Sequence, residues 1–248
     1  MSTKTFKSLL GMQALLCALF LLSCSNDNND PLPQPETKKV AVQVVTDTKA
    51  GTAVVNVSNA PANAQLQLVY DVKRGEVAAM GNAAENGTHA FKLPLLAGYE
   101  QNLKLVVKNG ETGAELKGIT LPAADEPYTD EQITQGLQGH VWQSVQTRSR
   151  ILVGHTGTRP YSLFVTQALK RFEFLADSKF TFTVLSPLQK SLPNGTWAVK
   201  NKRIDIDTQI PLGPMQLHNT RIQNLTNKEL VMLTEVEDGL FLLTFEAQ

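Results

Sequence analysis

Apolar residues in this chain recur at every second position, in short runs separated by turn residues, and that period most constrains the fold. Side chains of an extended strand alternate between its two faces, so each run offers one face to a core and one to water. Val40, Val42 and Val44 alternate with Ala41, Gln43 and Val45, and Val55 and Val57 alternate with Asn56 and Ser58. Leu66, Leu68 and Tyr70 face one way while Gln65, Gln67 and Val69 face the other. Phe91 and Leu93 follow, then Leu103, Leu105 and Val107, before Asn109-Gly110-Glu111-Thr112-Gly113 turns into a last strand. About seven strands, with turns every ~8–12 residues, predict a small β-sandwich over residues 38–122.

The pattern breaks at Pro122 to Pro127. Thr129 or Asp130 can cap a short helix through Leu137, because their side-chain oxygens accept the free N–H groups of its first turn. Gly139 can then end it in a left-handed conformation. Alternation returns in Arg171-Phe172-Glu173-Phe174 and in Lys179 to Val184, and Asn194-Gly195-Thr196-Trp197 is expected to turn into the alternating Lys202 to Asp207. Ile222 to Leu225, Glu229 to Leu233 and Leu240 to Phe245 complete a meander. About eight antiparallel strands lose their exposed edges by closing on themselves, so residues 128–248 are expected to form a β-barrel. The predicted fold class is all-β.

In strand number and spacing the first domain resembles immunoglobulin-like or fibronectin type III modules. It does not carry their tyrosine corner, since Tyr99 sits in the turn ahead of the strand begun by Leu103. In the second domain, four marks resemble the lipocalin-like domains of Bacteroidota lipoproteins. They are Leu137-Gln138-Gly139-His140-Val141-Trp142, the spacing of Phe174, Phe180 and Phe182, Gly195-Thr196-Trp197, and Glu229-Leu230 with Leu233. This resemblance covers residues 133–248 and implies a lipocalin-like barrel whose floor Trp142 closes, with room for one small ligand or for its own side chains. Such domains usually place one residue between the Gly and the Trp. The second residue here calls for a bulge or a shifted register.

Ahead of the sandwich, Lys4 and Lys7 precede an uncharged apolar run from Leu9 to Leu22, the plan of a secretory signal. The run is shorter than the ~20 residues a membrane-spanning helix needs. Leu21-Leu22-Ser23-Cys24 resembles the lipobox of bacterial lipoproteins, which implies removal of residues 1–23 and acylation of Cys24 (palmitate-type chains on sulfur and on the new amino terminus). Two or more such chains hold a protein stably on a bilayer. Residues 24–37, polar and then proline-rich, read as a disordered tether. Cys24 to Asp30 also resembles the acidic leader of Bacteroidota lipoproteins. The address expected is the outer membrane, lipid-anchored, on its periplasmic face or at the cell surface.

Cys17 leaves with the signal and Cys24 carries lipid, so the body has no thiol for a disulfide or a metal site. Losing Lys4 and Lys7 takes the 23 basic residues to 21 against 23 acidic ones, so no basic face is implied, which argues against nucleic acid.

Candidate chemistry is sparse. His89, His140, His155 and His218 are not at metal-ligand spacing, and no nucleophile motif is present, so no catalytic residue, metal or cofactor is assigned. Asp205 and Asp207 share one strand face about 6–7 Å apart, which reads as a solvated face before it reads as an acid pair or cation site. Gly154-His155-Thr156-Gly157-Thr158, near Arg148, Arg150 and Arg159, reads either as a connection or as an anion nest. Trp142, Phe164, Phe172, Phe174, Phe180, Phe182 and Trp197 are core, or else the lining of a ligand cavity. Arg159 to Leu169 is the candidate rim.

The leading expectation is a non-enzymatic envelope lipoprotein, anchored in the lipid bilayer, that takes a small apolar ligand in its barrel. The alternatives are a structural or adhesive component with an envelope protein or glycan partner, and a hydrolase with scattered acids.

Overall fold

The computed structural model describes residues 39–110, 112–154, 169–184, 191–210, 213–236 and 239–248. The signal, the lipobox, Cys24 and the whole tether lie outside these residues, as do His155, Arg159 and Phe164.

Seven strands build the sandwich. β1 (Ala41–Asp47), β2 (Thr52–Ser58) and β5 (His89–Pro94) form one sheet in the order β1-β2-β5. β3 (Gln65–Tyr70), β4 (Val77–Asn82), β6 (Gln101–Asn109) and β7 (Thr112–Leu121) form the other in the order β4-β3-β6-β7. The fourth strand therefore pairs with the third, whereas constant-type immunoglobulin domains place it on the first sheet. The alternating side chains meet between the sheets: Val55, Val57, Phe91 and Leu93 against Leu66, Leu68, Leu103 and Leu105, all buried. The β1–β2 turn closes on Asp47, whose Oδ1 accepts the N–H groups of Lys49 (3.1 Å) and Ala50 (2.9 Å).

Tyr70 is the polar exception in this core. Its hydroxyl donates to Gln101 Oε1 at 3.0 Å, and burial pushes its pKa up to about 12, with the Arg150 charge pulling the other way. A phenol that ionises later in the folded state contributes stability present below pH 10 and lost as the pH climbs towards 12. The loss amounts to roughly 2–3 kcal/mol. Urea midpoints measured across pH 9–12 should fall more steeply for the wild type than for Tyr70→Phe. Parallel curves would contradict this.

Helix α1 (Asp130–Leu137) starts from a capping box, with Thr129 Oγ1 accepting from Gln132 N (3.2 Å) and Gln132 Oε1 accepting from Thr129 N (2.8 Å). Thr129 is thus the cap. Asp130 instead accepts the N–H groups of Asn201 (3.0 Å) and Lys202 (2.5 Å), both held at positive φ in the tight turn just ahead of Arg203. Gly139 is left-handed, with φ of 77°, just beyond the helix.

The remaining strands are β8 (Val141–Ser144), β9 (Arg150–Val153), β10 (Leu169–Phe174), β11 (Lys179–Val184), β12 (Ser191–Lys200), β13 (Arg203–Ile210), β14 (Gly213–Leu225), β15 (Glu229–Val236) and β16 (Gly239–Ala247). β8 and β10 to β16 pair antiparallel, each with its neighbour, and β16 joins β15 to β8, which closes an eight-stranded barrel. β9 pairs with β16 beyond β8, so β8 and β9 are one wall strand interrupted at residues 145–149. The connections after β10, β12 and β14 lie at the end where α1 packs Ile133 and Leu137 into the core. β9, β11, β13 and β15 finish at the other end.

The barrel shares a wall with the sandwich. Leu152, Leu233 and Leu240 point away from the barrel interior and join the sandwich core, at 4%, 0% and 2% exposure. β15 and β16 are consequently buried on both faces, which explains their nearly unbroken apolar sequence. Backbone bonds stitch the contact: Glu76 N–H donates to Leu152 O (3.0 Å) and Gly154 N–H to Arg74 O (2.9 Å). Gln223 pairs with both backbone groups of Ala97, at 2.7 and 3.1 Å, much as a neighbouring strand would. Arg221 donates to Gly98 O at 2.9 Å with its guanidinium 5.2 Å from the Tyr99 ring centre, and Arg203 pairs with Glu126. From Lys38 onward the chain is one compact unit.

Candidate functional site

The floor of the barrel is built from aromatic side chains set by period-2 alternation. Trp142 (β8), Phe172 and Phe174 (β10), Phe180 (β11) and Trp197 (β12) all face inward at 0–5% exposure. Their rings meet edge-on or tilted. Phe172 lies 4.6 Å from Phe245, and Phe174 lies 5.1 Å from Trp197 and 5.3 Å from Phe180. Each indole N–H has a carbonyl: Trp142 donates to Leu137 O (3.1 Å) and Trp197 to Leu175 O (3.0 Å). Trp142 thereby ties α1 to the first barrel strand.

A side chain lining a water-sized cavity keeps accessible surface, and these residues keep almost none. They are packed core. Phe182 holds its β11 position opposite Phe172 in the backbone register. Phe164, and Arg159 to Ala168 of the candidate rim, lie outside the described residues, while Leu169 begins β10.

Three buried threonines add polar groups to this apolar interior. Thr220 and Thr234 are fully buried with their hydroxyls 2.9 Å apart, and Thr208 follows Ile204 and Ile206 on the inner face of β13. Thr208 Oγ1 is buried and has no hydrogen-bond partner among the described residues. A buried hydroxyl without a partner costs about 1–3 kcal/mol. Thr208→Val, which keeps the shape, should therefore raise the thermal midpoint by a few degrees. A lower midpoint would show that the hydroxyl is satisfied.

The other candidates are dispersed. His89 packs edge-on to Phe91 at 4.4 Å, and His140 leans on Trp142 at 5.2 Å. His218 sits on the outer face with Nε2 2.9 Å from Asp207 Oδ1, which also accepts from Gln216 Nε2 at 2.9 Å. Asp205 Oδ1 accepts the Asn219 N–H at 2.8 Å. Asp205 and Asp207 alternate with the buried Ile204 and Ile206, so the pair lies on a solvated strand face. Gly154 spends its N–H on Arg74 O, and the rest of the glycine-rich segment lies outside the described residues. Among the described residues no three His, Cys, Asp or Glu side chains gather to hold a metal ion, and no charged side chain is buried.

A recess lies on the outer wall. A cleft of about 350 Å³ is bounded by Gln143, Ser144 and Val145, by Gln146 and Thr147 of the turn that follows, and by Glu246 and Gln248. Sequence reasoning missed it because nothing local to Gln143 or Glu246 marks either residue. Their register opposite one another, and the turn folded over them, arise only when β16 returns beside β8. The shared wall was also missed, although the runs at Leu230–Leu233 and Leu240–Leu243 carry its signal: alternation gives way to continuous apolar sequence.

Fold and interior define the class: an all-β protein in which a helix-plugged, closed eight-stranded barrel is joined to a three-plus-four sandwich. No protein-family model matches the chain, and no curated protein matches it either. No helix among the described residues is long and apolar enough to cross a membrane.

Proposed function

We propose that this chain is a lipid-anchored outer-membrane lipoprotein, non-enzymatic, whose folded body is a rigid structural or adhesive element that binds an envelope partner on its outer surface. The anchor rests on the lipobox-like Leu21-Leu22-Ser23-Cys24 and the proline-rich tether after it. The body's role rests on one observation above the others: the described barrel interior is occupied by its own aromatic side chains at 0–5% exposure. A binder of small apolar molecules would keep an open pocket lined by those groups. The two-sided wall of β15 and β16 supports the same reading, because it fuses barrel and sandwich into one stiff unit.

Two measurements test this. Cells fed labelled palmitate should label the wild-type chain and not Cys24→Ala, and label retained by the variant would refute the anchor. Native mass spectrometry of the purified chain should give polypeptide plus acyl groups. A stoichiometric small apolar ligand would refute the filled barrel and restore the ligand-binding alternative.

A further inference from the structure

The turn at residues 145–149 interrupts the first barrel strand, takes no part in the barrel core, and is nevertheless fixed throughout. Val145 donates its N–H to Thr244 O (2.8 Å), and its carbonyl accepts from the N–H groups of Arg148 and Ser149, both at 3.1 Å. Ser149 Oγ accepts the Thr244 N–H at 3.1 Å, and Thr244 Oγ1 donates to Arg148 O at 3.3 Å. Arg148 then spans two strands, pairing with Glu229 at 2.6 Å and Glu246 at 2.5 Å. An interruption of the ladder leaves backbone groups to be satisfied again, and such features commonly re-aim side chains at a site. Here the result is a preformed cleft between the turn and the outer face of β8 and β16.

Its chemistry is specific. Three glutamines, a serine and a threonine supply amides and hydroxyls to the lining, and Glu246 is paired with Arg148, which it shares with Glu229. Val145 is the one apolar side chain in the lining, and the rest of its carbon surface belongs to polar residues, a mix that favours an amphipathic ligand over an acyl chain. β8 is hydrogen-bonded on both sides, to β10 and to β16, so an extended peptide has no free edge to join. A cleft of about 350 Å³ lies at the small end of ligand sites. Amides and hydroxyls in a small, open recess match the hydroxyl array of a sugar.

We propose that this cleft is a binding site for a neutral saccharide. The proposal rests on the partner-binding reading above and is independent of the lipid anchor, whose failure the palmitate experiment would reveal separately. The test uses the full chain in a detergent without a sugar headgroup, applied to an array of neutral and anionic saccharides, with calorimetry on the strongest neutral hit. Neutral saccharides should be retained and anionic ones not. Gln143→Ala should weaken binding roughly three- to tenfold, the scale of one hydrogen bond. Thr147→Trp, an exposed position whose larger side chain fills the cleft without touching the core, should abolish it. The proposal is overturned if no neutral saccharide is retained, if anionic saccharides are preferred, or if both variants bind like the wild type.

Discussion

Trp142→Ala is expected to destabilise the protein by about 3–5 kcal/mol, a large part of the ~5–15 kcal/mol that holds a typical protein folded. Three losses coincide at this residue. The indole is fully buried, so its removal leaves a void among Phe172 and its neighbours that a closed barrel cannot collapse to fill. The bond from Nε1 to Leu137 O disappears, which frees the end of α1. The floor that Ile133 and Leu137 complete then opens to water. Trp197 becomes the only tryptophan in the variant, so its fluorescence during denaturant unfolding reports the barrel alone. Trp142→Phe should recover most of the packing and lose only the indole bond, about 1 kcal/mol. A loss under ~1 kcal/mol for the alanine variant would mean that the floor is not packed around this side chain.

The second large effect is expected at the shared wall. Leu240→Asp places a carboxylate where Leu240 is 2% exposed, inside the cluster that includes Leu152, Leu233 and the sandwich residues. An unpaired buried charge costs several kcal/mol, relieved by protonation or by the wall opening. The barrel interior is spared, because Leu240 faces away from it while Phe241 faces in. The wild type should therefore unfold in one transition. Leu240→Asp should show two, with new protease sensitivity between Pro122 and Pro127. Leu233→Ala, a cavity without a charge, should cost about 2–5 kcal/mol and keep a single transition. A one-step, wild-type-like melt of Leu240→Asp would show that the wall does not couple the two halves.

The alternation that marks most of the sandwich strands, β10, β11 and β13 was legible because each of those strands has one wet face, whereas Asn194-Gly195, which reads as a turn, lies inside β12, where pairing with β11 and β13 holds it extended. The helix from Thr129, the left-handed Gly139 and the inward Trp142 were legible for local reasons: a capping residue, a backbone conformation and a large apolar side chain. β15 and β16 were legible as strands but not as a shared wall, since continuous apolar sequence fits any strand buried on both sides. β8 and β9 gave no sign of being one strand. Their unity depends on pairing with β16, far along the chain.

The amino-acid order alone thus determined the period of most strands, the position of the helix and the all-β class, because these follow from which face of a short segment avoids water. Tertiary structure alone decided three things: that aromatic side chains fill the floor, that the barrel leans its apolar back on the sandwich, and that a polar cleft opens beside Gln143 and Glu246. Each depends on which distant strands become neighbours, and chain closure sets that, not local preference.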